Sequence, residues 1–421
     1  MKKEKNSLLL NVLLERELVD ISISSGRFQK IVKAGSLNVK EFDDSFKIVD
    51  ATGLSILPPF YNAHTHAAMT LFRGFADDMP LFRWLSEYIW PLEKKLTAED
   101  VYAGSRLAIL EMIRSGTVFF ADMYWHREET IRAAEEMGVR AAIGVTFAEN
   151  LPHAPFEEYF AFLKNRTFES DLIQLSVMPH SIYTVGDALF EKCASFAKEE
   201  GFILHTHLSE TEEEIKNCFK RTGKMPVEHL YDLDVLGENF VAAHGVHVSE
   251  KEMELLASSK STVVHNPASN LKLSSGLFKM QEMLARNVRI ALGTDGASSN
   301  NNLDMHEAMK FASLLAKREN PEILPAEEAF KMASRNGALA YGLDAGVIQE
   351  GALADALLVD LNNERLVPNY NLISNWVYSA DSRSIVSVIC NGRFIMENRK
   401  IDGEEEIIES AKETAQRLLN S

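Results

Sequence analysis

The 421-residue chain is 46% hydrophobic and 25% charged, the composition of a globular protein long enough to bury a large core. Its net charge of −17 repels phosphate backbones and argues against a nucleic-acid partner. No apolar run reaches the roughly 18 residues of a membrane span, no signal-type cleavage site follows the N-terminus, and Cys193, Cys218 and Cys390 form no CxxC pair, so a cytoplasmic protein is expected.

Residues 8–59 read as short strands and turns: Val19 to Ile23 alternates, Ser25-Gly26 turns, and Phe28 to Val32 resumes. From residue 60 short apolar runs alternate with longer helical stretches, the mark of repeated βα units. Eight such runs end near His66, Asp122, Val145, Met178, His207, His244, His265 and Asp295. Their continuous apolar character, clearest at Phe202–His207 and Val288–Leu292, suits parallel strands buried on both faces. Helices are predicted between them at 97–115, 127–137, 186–200, 210–222, 250–259 and 277–286. Thr97 ahead of Glu99-Asp100 and Ser249 ahead of Glu250 supply capping signals. Strand texture returns at Ala354 to Leu361 and at Ile385 to Ile395, with Asn391-Gly392 as a turn, and the acidic tail from Gly403 reads as a solvated terminal helix. The sum is an α/β chain: a (β/α)8 TIM barrel over residues 60–349, with a small β-sandwich domain made from residues 1–59 plus 350–421.

In such a barrel the C-terminal ends of the strands face the active site. Four of the eight predicted ends carry histidine and the last carries Asp295. His64 and His66 stand at i and i+2 of one strand, so both imidazoles point to the same side. With His207 and Asp295 they make a nitrogen and oxygen donor set that suits zinc, or iron(II), over magnesium.

These residues lie in stretches that resemble the amidohydrolase superfamily and, within it, the S-adenosylhomocysteine/5′-methylthioadenosine deaminase group. The stretches are Asn62-Ala63-His64-Thr65-His66, His207-Leu208-Ser209-Glu210, His265 to Asn270, Gly293 to Asn300 and Gly351 to Asp360. Pro58-Pro59-Phe60-Tyr61 departs from the Pro-Gly-apolar-apolar run usual there, but leaves the ligands intact. The resemblance implies that His64, His66, His207 and Asp295 bind one zinc ion, with iron(II) as the alternative, and that the substrate is a small adenine nucleoside. It implies that Asp295 also takes a proton from the attacking water, that Glu210 protonates a purine ring nitrogen, and that His244 hydrogen-bonds the water or the developing oxyanion. Glu93 would accept hydrogen bonds from both ribose hydroxyls and His180 would contact the purine. A homo-oligomer is likewise an implication of the family alone.

Without the family, Glu210 reads as the first acidic residue of a helix and Glu93 as a solvent-facing charge. Trp84, Tyr88 and Trp90 read either as an apolar lid over the ligand or as the packed face of an amphipathic helix. His205 points inward as a support for the metal ligands, while His265, His247 and His126 read as structural. No lysine ends the fourth strand, at Val177 to His180, where two-metal relatives place a bridging one; this favours a single metal and ring deamination. Relatives that accept S-adenosylhomocysteine carry arginines after the third strand, yet Val145 to His153 holds none and Glu149 would repel a carboxylate. The expected substrates are therefore 5′-methylthioadenosine, 5′-deoxyadenosine or adenosine. The rival activities are those of another mononuclear amidohydrolase, such as a guanine, pterin or cytosine deaminase or a triazine chlorohydrolase. A barrel that had lost catalysis should lack a ligand or Glu210, and none is missing.

Overall fold

The structure, a computed structural model, describes residues 6–149, 154–168, 170–318 and 320–420. Eight parallel strands form the central sheet: β1 (Phe60–Thr65), β2 (Thr117–Asp122), β3 (Arg140–Phe147), β4 (Ile173–Pro179), β5 (Ile203–Leu208), β6 (Phe240–His244), β7 (Thr262–His265) and β8 (Arg289–Leu292), each hydrogen-bonded to its sequence neighbours. Nearly every residue in them is buried, which is why the strands read as apolar runs rather than as alternation. The ends fall where the sequence places them except in β8, which stops at Leu292; Asp295 therefore sits in the loop beyond the strand.

The seam between β8 and β1 closes beside that loop. The Asp295 N–H donates to the His64 carbonyl at 3.0 Å. The Asn62 side chain donates to Thr294 Oγ1 at 2.6 Å and accepts from the Thr294 N–H at 3.1 Å. Helices Ala98–Arg114, Arg127–Met137, Asp187–Glu200, Glu212–Thr222 and Glu250–Ser258 match the predicted spans, and Thr97 and Ser249 each complete a capping box. Gly201 ends the third of these helices in the left-handed conformation, at φ 76°, where a side chain would strain the backbone. Met305–Ala316, Ala326–Ala333 and Arg335–Ala340 are further helices after β8 that the pattern reading did not separate.

Both chain ends build one continuous mixed sheet of eight strands. Its hydrogen-bonded order is Arg393–Met396, Ile385–Cys390, Ala356–Asp360, Leu54–Leu57, Ser7–Leu14, Glu17–Ser24 and Arg27–Lys33, with Lys47–Asp50 added beside Ser7–Leu14. It encloses its own apolar core, including Val12, Ile21, Phe28, Ile56 and Leu358. The terminal helix, Glu404–Asn420, differs from expectation. It is packed, not solvated: Ile407, Ala411 and Leu418 are buried, and Arg106, Arg114 and Arg417 pair with Glu406, Glu404 and Asp100 between this helix and Ala98–Arg114. The buried residues lie on one helical stripe, which the density of surface glutamates hides in the sequence. No described helix is long and apolar enough to cross a membrane.

Candidate active site

A cleft opens at the C-terminal mouth of the barrel. His66, Glu93, His180, His207, Glu210, His244 and Asp295 all line it, and His64 lies fully buried close behind. The structure thus gathers the candidate ligand, catalytic and substrate-contact residues, from positions up to 231 apart along the chain (295 − 64).

Three imidazole Nε2 atoms converge at the floor. His66 Nε2 and His207 Nε2 are 3.2 Å apart, and Asp295 Oδ1 lies 3.3 Å from His66 Nε2 and 3.6 Å from His64 Nε2. Two ligands at bond lengths of about 2.0–2.1 Å and a tetrahedral angle stand about 3.4 Å apart, so these spacings fit one first-row ion. Groups formed by His64, His66 and His207, and by His64, His244 and Asp295, could each hold a metal. The Nδ1 atoms are spent on other partners. His66 Nδ1 donates to the Met123 carbonyl at 2.6 Å and His207 Nδ1 to the His180 carbonyl at 2.7 Å, which leaves both Nε2 lone pairs toward the floor. His64 Nε2 is buried and has no hydrogen-bond partner, an arrangement that costs free energy unless a cation satisfies it. Burial works against a charged His66, yet Asp295 and the Met123 carbonyl outweigh it and lift the ring to about 9. The floor favours one positive charge there, a demand that a metal cation meets as well as a proton does. A mononuclear metal fits these residues.

Asp295 divides its two oxygens. Oδ1 faces His64 and His66 and accepts the Gly296 N–H at 2.8 Å; Oδ2 accepts Ser269 Oγ at 2.6 Å and lies 4.0 Å from His244 Nε2. Burial penalises its charge, but His64 and His66 hold its carboxyl well below the usual range, so it is ionised. His244 donates from Nδ1 to Asn270 Oδ1 at 2.8 Å, which turns Nε2 toward Glu210 Oε2, 3.8 Å away. Burial disfavours the charged ring, and the Glu210 and Asp295 carboxylates more than offset it. Both His244 and Asp295 hold positive φ, 75° and 63°, a strain that non-glycine residues keep where the surroundings enforce it.

Glu210 is not the first acidic residue of its helix. Thr211 caps that helix, and Glu212, Glu213 and Glu214 fill its first turn. The Glu210 side chain instead turns inward and accepts Ser275 Oγ on Oε1 at 3.1 Å. Burial raises its carboxyl, with His244 pulling the other way. Sequence reasoning missed its support: buried Glu214 accepts the Ser209 and Glu210 N–H groups at 2.8 and 2.9 Å and so fixes the turn that carries Glu210. The Thr211-to-Glu214 spacing looks like an ordinary helix start, so nothing distinguished this glutamate. Ser269, Asn270 and Ser275 were missed for a similar reason, since their partners are remote in sequence.

Glu93 is half-buried in the cleft wall beside Tyr124 and Trp125, and burial lifts its carboxyl to about 7 against the pull of Tyr124, His66 and Trp125. His180 also lines the cleft, Nδ1 near Thr184 Oγ1 at 3.0 Å, and burial lowers it to about 3, so it is neutral. Trp84 lines the cleft while its N–H donates to the Ala76 carbonyl at 3.1 Å; it is wall and packing at once. Trp90 also lines the cleft, and Tyr88 packs in the apolar cluster behind it. His205 lies beneath the floor, Nε2 3.0 Å from His64 Nδ1. His265 stacks on Phe278 and His247 bonds the Ser275 carbonyl, as expected of structural residues. Glu149 accepts the Gly186 N–H, and Asn150 to His153 lie outside the described residues. Among the described residues the cleft lining holds no arginine and no lysine.

The comparisons with known proteins agree with this geometry. The chain is 45% identical over 384 residues to a 5′-deoxyadenosine deaminase of Methanospirillum hungatei, covering 89% of this chain and 85% of that one. It is 43% identical over 404 residues to a 5-methylthioadenosine/S-adenosylhomocysteine deaminase of Archaeoglobus fulgidus, covering 93% and 94%. Its fold superposes with a TM-score of 0.92 and 29% identity on an adenosine deaminase from Xanthomonas campestris with bound zinc, over 99% of this chain and 98% of that one. The model of the amidohydrolase family matches residues 55–395, and the chain belongs to that family.

Proposed function

We propose that this protein is a metal-dependent hydrolytic deaminase that converts adenine nucleosides with an uncharged 5′ group into the inosine analogue and ammonia. The observation that carries this reading is one cleft floor on which three imidazole Nε2 atoms and Asp295 meet, with Glu210 and His244 beside them. The relatives named for 5′-deoxyadenosine and for 5-methylthioadenosine support the adenine nucleoside as the substrate class.

His64, His66, His207 and Asp295 would hold one ion; zinc is proposed, with iron(II) the alternative. When bound, such an ion supplies Lewis acidity that brings the pKa of a water toward neutrality. The chain's own groups do the rest. Asp295 Oδ2 receives the proton of the attacking water and passes it to the amino group, which leaves as ammonia as the C–N bond breaks, while the remaining hydroxyl proton returns to Glu210 as the carbonyl forms. Glu210, its proton favoured by burial, delivers it to the ring nitrogen next to the amino-bearing carbon. His244 Nε2, its proton favoured by the neighbouring Asp295 and Glu210, donates to the oxygen on which charge develops. Glu93 would accept the ribose hydroxyls and His180 would contact the purine, with Trp84 and Trp90 excluding water. Among the described residues the cleft lining has no arginine or lysine to pair with a carboxylate on the 5′ substituent.

The test is ammonia release by zinc-loaded protein over adenosine analogues that differ only at the 5′ position, with guanine, pterin and cytosine as rivals. A kcat/KM higher for 5′-methylthioadenosine, 5′-deoxyadenosine or adenosine than for S-adenosylhomocysteine is expected. The reverse order would sink the 5′ preference, and faster turnover of a rival would sink the substrate class.

A further inference from the structure

The three histidines of the floor differ in what fixes their protons. His66 and His207 give their Nδ1 hydrogens to backbone carbonyls, which can only accept, so in the neutral rings that bind a metal their Nε2 atoms are the lone pairs. His64 Nδ1 instead meets another imidazole, His205 Nε2, at 3.0 Å. Two imidazoles can share a proton in either direction, and one of the two directions places a hydrogen on His64 Nε2, where it would bar a metal.

The ambiguity is resolved further down. His205 Nδ1 lies 2.6 Å from the Tyr341 hydroxyl, and that hydroxyl donates to the Ala63 carbonyl at 2.9 Å. The register between β1 and β2 shifts between Asn62 and Thr65, which takes Ala63 out of the regular ladder. The carbonyl can only accept, so the phenol proton points to it. The phenol oxygen then accepts from His205 Nδ1–H, His205 Nε2 accepts from His64 Nδ1–H, and His64 Nε2 is left bare. Tyr341 is held for this task. It follows the helix Arg335–Ala340, is buried, and packs its ring 5.0 Å from that of Phe119. Burial keeps the phenol protonated.

We infer that Tyr341 is a positioning residue for the metal site: through His205 it selects the tautomer in which His64 Nε2 is free to bind. The inference rests on the reading of His64 as a ligand, and it names a residue 277 positions away (341 − 64) with no contact to the ion.

The experiment measures zinc affinity by competition with a chromophoric chelator on metal-depleted full-length protein, for the parent, Tyr341→Phe and His64→Ala. Histidine tautomers are read by nitrogen-15 NMR on the parent and Tyr341→Phe. Removing a ligand's direct hydrogen-bond partner usually costs about 10- to 100-fold in metal affinity; Tyr341→Phe, one step further out, is expected to weaken zinc binding by about 3- to 10-fold and to move His205 from the Nδ1–H toward the Nε2–H form. A purely structural tyrosine would lower the melting temperature and leave both readouts alone. Zinc affinity within twofold of the parent, with the His205 tautomer unchanged, overturns the inference. His64→Ala separates the two levels: if it binds zinc as tightly as the parent does, the ligand reading itself falls, whatever Tyr341→Phe shows.

Discussion

The barrel buries a polar network at each end, and the two are built on opposite rules. At the foot, Asp355 accepts the Tyr61 hydroxyl at 2.6 Å and Arg140 Nε at 2.8 Å on one oxygen, and the Asn391 N–H at 2.6 Å on the other. Arg140 also reaches Asn391 Oδ1, and Asn391 Nδ2 reaches Asp171. Arg140 and Asp355 pair as counter-charges and each Asp355 oxygen has a donor, so the network ties β1 and β3 to the terminal sheet. At the mouth, His64 Nε2 has no partner, the Glu210 and Glu214 carboxyls are raised, and His244 and Asp295 hold strained backbone. A satisfied network stabilises; one with spare lone pairs and displaced protons is poised to take a ligand.

The comparison breaks most sharply at Glu210. Glu210→Gln keeps the shape and is expected to lower kcat by about 10²–10⁴-fold with zinc still bound and the denaturation midpoint near that of the parent. Steady-state rates and metal analysis on one preparation check this; a near-normal rate removes Glu210 from the chemistry. The mirror experiment is Asp355→Ala, which strands Arg140 and should cost about 3–5 kcal/mol in chemical denaturation while the folded fraction keeps its kcat. A large loss of kcat with little loss of stability would reverse the assignment of the two ends.

A smaller effect comes from pH. Burial lifts Glu93 to about 7, so its carboxyl takes up a proton as pH falls through that value and loses acceptor capacity for ribose hydroxyls. KM for nucleosides should rise by up to about tenfold per pH unit below 7 and level off above it. Glu93→Gln should flatten the profile, and a parent profile already flat between pH 5 and 8 would take Glu93 out of substrate binding. The smallest expected change is Ser275→Ala, which removes one hydrogen bond to Glu210 worth about 0.5–1.5 kcal/mol and should lower kcat a few-fold with KM held.

What the sequence made legible follows from distance along the chain. His64 and His66 could be read because strand periodicity puts i and i+2 on one side, and His207, His244 and Asp295 because strand ends face one mouth. Glu214, Ser275 and Tyr341 could not, because each acts on a partner that only the closed barrel delivers; Tyr341 and Ala63 are 278 residues apart. The terminal helix was misread for a different reason. Glu404, Glu405 and Glu406 dominate its first turn, and the arginine partners of Glu404 and Glu406 lie about 300 residues earlier.

The seam beside Asn62 and Thr294 has a consequence for assembly. Under the proposed ligand set, two donors come from the end of the first barrel strand and the residue just past it, and one from the loop after the last, on either side of the joint where the sheet meets itself. A folding chain with its final unit undocked offers imidazoles without the closing carboxylate. Tight zinc uptake then reports a completed circle, and an ion once seated acts as a rivet across the one joint that no loop between consecutive strands secures.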